Sequence, residues 1–144
     1  MKARQTKRIM MLRLISFFIL LISLTGCTEP PYINLNNEQL KPLIEQGIPI
    51  YDIRRPDEWK QTGVIEGSRL LTFVDAGGRL QPDFLPQFVE KIGKNDPVIL
   101  ICRTGNRTSA LANHLIENMG YTNIYNVQNG ITRWLGDGLP VTRL

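Results

Sequence analysis

The residues able to do chemistry cluster in one short stretch, Cys102-Arg103-Thr104-Gly105-Asn106-Arg107. A thiolate, not a thiol, is the nucleophile, and the free cysteine pKa of about 8.5 falls beside cationic groups or a helix N-terminus. Cys102 ends an apolar run, and the spacing predicts a helix starting at Thr108, so loop amides and the helix end converge on the sulfur. Gly105 permits a positive φ or the close backbone approach that a cradle of amides requires. Arg103 and Arg107 bring positive charge for an anionic substrate. A cysteine at a strand end with no such loop reads as a small apolar filler, and the loop argues against that here. His114, the one histidine, falls two turns into the following helix and reads as structural rather than as a base for Cys102.

The elements that must position this loop alternate along the chain. Pro97-Val98-Ile99-Leu100-Ile101-Cys102 is wholly apolar, the pattern of a central strand buried on both faces of a parallel sheet. Ile48 to Ile53 and Ser68 to Val74 read as further strands, and Asn123 to Val127 as the last. Helices are expected from an Asn36 cap with Gln39 behind it, from Pro56, over Asp83 to Ile92, over Thr108 to Met119, and around Trp134. Pro42 removes a backbone donor, so the first helix is expected to kink or to start late. Short strands alternating with helices define an α/β fold, a parallel sheet covered by helices on both faces, with ligands at carboxyl strand ends. Asp52 and Arg54, at such an end beside Glu58, read as structural pairs, and Trp134 reads as core.

The chain has 144 residues, of which 42% are hydrophobic and 21% charged, the composition of one globular domain. Its formal charge of +4 sits at the front: residues 1–26 hold five of the 17 basic residues and no acidic one. The rest carries 12 basic residues against 13 acidic, so no nucleic-acid-binding face is implied. That basic front runs into an apolar stretch, Leu14 to Leu24, then Leu24-Thr25-Gly26-Cys27, and reads as a signal peptide. As a helix the stretch rises about 16 Å, too little for a bilayer core of about 30 Å. Its last four residues resemble the lipobox of bacterial lipoproteins, which makes Cys27 the lipidated anchor and Thr28 to Tyr32 a Pro-stiffened tether. The expected organisation is 1–26 signal peptide, 27–32 lipidated cysteine and tether, 33–144 domain, on a membrane facing the periplasm or cell exterior. The sequence has two cysteines; with Cys27 lipidated, Cys102 is a lone exported thiol.

Three segments together, DIRRPDEW after the first apolar run, CRTGNRTS between strand and helix, and GYTNIYNVQNGITRWLGDGLPV at the end, resemble the rhodanese domain over about residues 33 to 141. The resemblance implies that Cys102 accepts sulfur as a persulfide, that the backbone of Arg103, Thr104, Gly105, Asn106 and Arg107 cradles it, and that Arg107 braces the loop. It implies a sulfurtransferase taking sulfur from a small anionic donor such as thiosulfate to a thiol or cyanide acceptor, as a monomer, with no metal or other cofactor. The pattern departs from the family at GVIEGS, which lacks a histidine, at Asn129-Gly130 in place of a glycine pair, both remote from the nucleophile, and at Pro42. The alternatives are a non-catalytic persulfide or redox-sensing module, and a phosphatase or arsenate reductase, whose loops carry one more residue between cysteine and arginine.

Replacing Cys27 by Ser should release the protein from the membrane fraction of cells. Retention at the wild-type level, uncleaved and unlipidated, would remove the lipoprotein reading.

Overall fold

The computed structural model describes residues 29–144. The segment read as a signal peptide, and Cys27 with it, lies outside the described residues. Five strands, β1 (Ile33–Leu35), β2 (Ile50–Asp52), β3 (Arg69–Leu70), β4 (Val98–Ile101) and β5 (Ile124–Val127), form one sheet in the order β1-β5-β4-β2-β3. Every pairing is parallel. The helices are α1 (Asn37–Glu45), α2 (Pro56–Thr62), α3 (Phe84–Lys91), α4 (Asn106–Met119) and α5 (Gly130–Gly136).

The period-2 alternation of β4 divides the core. Val98, Leu100 and Cys102 pack with Phe84 and Phe88 of α3 and Leu111, Ala112 and Leu115 of α4. Ile99 and Ile101 face the opposite side, with Leu40 of α1 and Ile131 and Trp134 of α5. Helices therefore cover both faces, and β4, inaccessible along its whole length, is the central strand. Trp134 is core as read, its Nε1 donating to Pro140 O at 2.8 Å.

Three elements differ from the sequence reading. β1 was not anticipated as a strand: it is three residues long with Ile33 half exposed, and it exists because Leu35 and its neighbours pair with β5. The first helix starts at its cap and runs through Pro42, with Asn36 Oδ1 accepting from Gln39 N at 2.9 Å and Gln39 Oε1 accepting from Asn36 N at 3.0 Å. The donor that Pro42 lacks would have served Glu38 O, on the helix's exposed face, where water can replace it. Ser68 to Val74 shortens to β3, an edge strand, continued by Leu71 N to Asp52 O and Phe73 N to Ile53 O, each 3.1 Å.

At the end of β2 the chain carries a buried ion pair, Asp52 with Arg54, neither more than 1% exposed. Arg54 Nη2 donates to Asp52 Oδ2 at 2.6 Å and to Gly63 O at 2.9 Å, and Nη1 donates to Thr62 Oγ1 at 2.6 Å. One guanidinium thus joins the end of β2 to the end of α2, and the reading of Asp52 and Arg54 as a structural pair agrees with this geometry. Breaking a buried pair leaves an uncompensated charge. Arg54→Leu should cost about 3–5 kcal/mol in urea unfolding, and adding Asp52→Leu should recover part of the loss.

Candidate active site

Cys102 follows the last residue of β4, and the chain must turn there into α4. Gly105 makes that turn in the left-handed region, at φ 92°, directly before the helix. The helix accordingly begins at Asn106, two residues earlier than the sequence reading placed it, and Asn106 and Arg107 belong to its first turn. A side chain at Gly105 has no room: a Cβ would lie 2.0 Å from Gln128 O.

The sulfur accepts from Gly105 N at 3.2 Å and lies 3.5 Å from Thr108 Oγ1. Cys102 is 1% exposed and unpaired. The carbonyls of the loop are turned the other way: Cys102 O accepts from Ile131 N at 2.9 Å, and Arg103 O from Thr132 N at 3.1 Å and Thr132 Oγ1 at 2.9 Å. Within a planar trans peptide the N–H opposes the C=O, so the amides of Arg103 and Thr104 point away from α5. Gly130 permits this docking, since a Cβ there would meet both carbonyl oxygens at 2.4 Å. The Asn129-Gly130 step, read as remote from the nucleophile, therefore holds the nucleophile's own peptide.

The two arginines read as substrate cations are both engaged by Glu58 of α2, which is 2% exposed. Arg107 Nη1 donates to Oε2 and Nη2 to Oε1, each at 2.8 Å, a fork-to-fork pair. Arg103 Nε donates to Oε1 at 3.1 Å, which leaves its terminal nitrogens without a protein partner among the described residues. Arg55 completes the cluster, its backbone N donating to Oε2 at 3.1 Å. Burial pushes the Glu58 carboxyl up, but hydrogen bonds from Arg107 and the Arg55 backbone, with both charges, outweigh it and hold the pKa at about 2. The Arg107 guanidinium is in turn raised, chiefly by its hydrogen bonds to Glu58, which outweigh its burial, with its nearness to the Cys102 sulfur adding. Arg107 is fixed beside the loop, and Arg103, 55% exposed, is the cation turned to solvent.

Thr104 and Asn106 are exposed on the rim, and Thr104 borders an open cleft of about 490 Å³ shared with Thr132 and Arg133. His114 lies on the exposed face of α4. An apolar cavity of about 490 Å³, lined by Ile44, Ile65, Trp134 and Val141 among others, lies on the α1 and α5 face of the sheet rather than at Cys102. Sequence reasoning left out Glu58, Thr108 and Ser109. The third-position carboxylate of α2 and the paired hydroxyls after Arg107 were the available signals.

A doubly covered parallel sheet that holds a cysteine in an amide-lined turn at the carboxyl end of its central strand defines an α/β protein of thiol chemistry. The chain belongs to the rhodanese-like domain family, whose model matches residues 36–137. Rhodanese-like domain-containing protein 17 of Arabidopsis thaliana is 24% identical over 81% of this chain and 77% of its own length. A thiosulfate sulfurtransferase of Tolumonas auensis is 38% identical over 38% of this chain and 51% of its own. Among solved structures, Rv0390 from M. tuberculosis superposes with a TM-score of 0.65 at 25% identity, covering 78% of this chain and 99% of that one. The polysulfide-sulfur transferase homodimer from Wolinella succinogenes has a TM-score of 0.63 at 24% identity, over 79% and 80% of the two chains, a likeness of fold. The family is one of sulfur transfer.

Glu58 gives the site an acid limit. Its pKa in the fold lies below its ordinary value of 4.5, at about 2, so the folded protein binds fewer protons there than the unfolded chain. The stability it contributes is complete above 4.5 and is lost as pH falls toward 2. Urea unfolding as a function of pH should show that loss in the wild type, and Glu58→Gln should flatten the curve in the same window.

Proposed function

We propose that the protein is a thiosulfate-type sulfurtransferase working through a persulfide on Cys102, lipid-anchored through Cys27 in the cell envelope. The observation that carries this reading is the Gly105 amide donating to Cys102 Sγ at the head of α4, beside an arginine that Glu58 holds in place. The helix N-terminus favours an anion, and so does Arg107.

In the first half-reaction the Cys102 thiolate attacks the outer sulfur of thiosulfate. A new S–S bond forms, the old one breaks, and its electron pair leaves with sulfite, so the persulfide anion carries the single negative charge. In the second half-reaction a thiolate or cyanide acceptor attacks the outer sulfur, and Cys102 departs as thiolate. Charge and electrons balance in both steps with no external oxidant. Arg103, with its terminal nitrogens open, suits recognition of the doubly charged donor. The phosphatase reading fits less well: four residues separate Cys102 from Arg107, and Arg107 is tied to Glu58.

One observation favours a second reading. Cys102 is 1% exposed, which suits a module that stores sulfur or oxidising equivalents and reports its state to a partner. Turnover separates the two. The full-length protein exposed to thiosulfate should gain the mass of one sulfur atom, lost on adding cyanide with formation of thiocyanate. Cys102→Ser should show neither, with residual transfer at the uncatalysed rate. Full transfer by Cys102→Ser would leave the mechanism without its nucleophile.

A further inference from the structure

Beside the Arg107 guanidinium, two groups lie within hydrogen-bonding distance of the Cys102 sulfur, the Gly105 amide at 3.2 Å and Thr108 Oγ1 at 3.5 Å. They are not equivalent. An amide N–H only donates, whereas a hydroxyl carries one proton and two lone pairs and rotates to suit its surroundings. Thr108 Oγ1 lies 2.9 Å from Gly105 O, which can only accept, so the hydroxyl proton is committed to that carbonyl and a lone pair faces the sulfur. That arrangement suits a protonated thiol. A thiolate meeting the same lone pair is repelled, so on loss of the thiol proton the hydroxyl has reason to turn.

What turning costs depends on the carbonyl left behind. Gly105 O also accepts from Ser109 N at 2.9 Å and from Ser109 Oγ at 2.8 Å. Ser109 Oγ receives a hydrogen bond from Asn126 Nδ2 at 3.2 Å, which leaves its own proton for the carbonyl. Departure of Thr108 therefore strands no buried acceptor. Thr108 is itself inaccessible to solvent, so water does not compete for its proton.

We propose that Thr108 is a second catalytic residue, whose hydroxyl switches from Gly105 O to Cys102 Sγ when the thiol ionises and donates to the sulfur whenever it carries charge. This deepens the sulfur-transfer reading and rests on it. As the thiolate attacks the outer sulfur of the donor, charge leaves Sγ for the terminal persulfide sulfur. When the acceptor takes that sulfur, the S–S bond breaks and its electron pair returns to Sγ. The hydroxyl lowers the energy of Sγ as a leaving group in this second step. In the first step its stabilisation of the thiolate is partly cancelled, because nucleophilicity falls with pKa. Loss of the hydroxyl should therefore slow sulfur discharge more than sulfur loading.

The test uses the full-length chain carrying Cys27→Ser, which leaves Cys102 as the single thiol of a sequence with two cysteines. Thiolate ultraviolet absorbance is followed against pH in the wild-type loop and in Thr108→Val, Thr108→Ala and Thr108→Ser. The charged and titratable groups on the elements around the sulfur are the same in every variant: Arg103 in the loop, Arg107, His114 and Glu117 on α4, Arg55, Asp57, Glu58 and Lys60 at α2, Asp83, Glu90 and Lys91 at α3, Asp52 at the end of β2 with Arg54 after it, and Arg133 and Asp137 at α5. A displaced titration then reads the hydroxyl. Val and Ala should each raise the Cys102 pKa by about one to two units, the worth of one charge-assisted hydrogen bond, and Ser should restore it. Discharge of a preformed persulfide to cyanide should slow about three- to tenfold in Val and Ala. Having both hydroxyl-free variants keeps the test usable if one of them does not fold. The same pKa in the wild type and the hydroxyl-free variants would overturn the proposal even if sulfur transfer proceeds. A raised pKa in a protein whose wild type takes no sulfur from thiosulfate would support Thr108 as the thiolate's donor and overturn the sulfur-transfer reading alone.

Discussion

A buried carboxylate among three arginines sets the geometry on which the site depends. Glu58 belongs to α2, which follows β2, whereas Arg103 belongs to the turn after β4 and Arg107 to the first turn of α4, and the two segments meet because β2 and β4 are neighbours in the sheet. Burying one carboxylate is costly unless it is paired and hydrogen-bonded, and here both oxygens are filled by donors from three residues. The pairing works in both directions: Arg107 keeps Glu58 ionised, and Glu58 keeps Arg107 from swinging out to water. The loop thereby carries fixed charge close to the sulfur and mobile charge, on Arg103, at its mouth.

The remaining contacts of the loop divide its peptide groups by polarity. Carbonyls of Cys102 and Arg103 are taken by the first turn of α5, and the carbonyl of Gly105 by the first turn of α4. With these carbonyls turned outward and satisfied, the backbone group left facing the sulfur is a donor, the Gly105 amide. An anion bound there meets preset backbone dipoles, and the Thr108 hydroxyl is the one neighbour that turns as charge moves.

The architecture was legible in the sequence because local patterns coincide with the global fold. An apolar run such as Pro97 to Cys102 has few alternatives to a central parallel strand, and Asn36 with Gln39 marks a helix start despite Pro42. β1 was illegible because three residues with an exposed Ile33 carry no periodic signal, and its pairing is decided entirely by β5. The start of α4 was placed late because a glycine in the left-handed region replaces the side-chain cap that sequence reading looks for. Cys102 and its loop were found from their own residues. The engagement of both arginines was not, since Glu58 is separated from Arg107 by 49 positions and reads locally as one more charge on a surface helix.

The place of β1 in the sheet bears on how the chain reaches this structure. Asn34 and Asn126, 92 positions apart, are joined by a side-chain hydrogen bond at 2.8 Å where the first strand lies against the last. Nothing near β1 in sequence can pair with it, so its hydrogen-bonding edge waits until β5 has been made and has docked on β4. Closing so long a loop precedes any reward from the contacts it permits, which places the fold among the slower-forming topologies. Until then the apolar flank of β4 is an open template for another chain, and a growing polypeptide that has delivered α4 but not β5 passes through the state most exposed to aggregation.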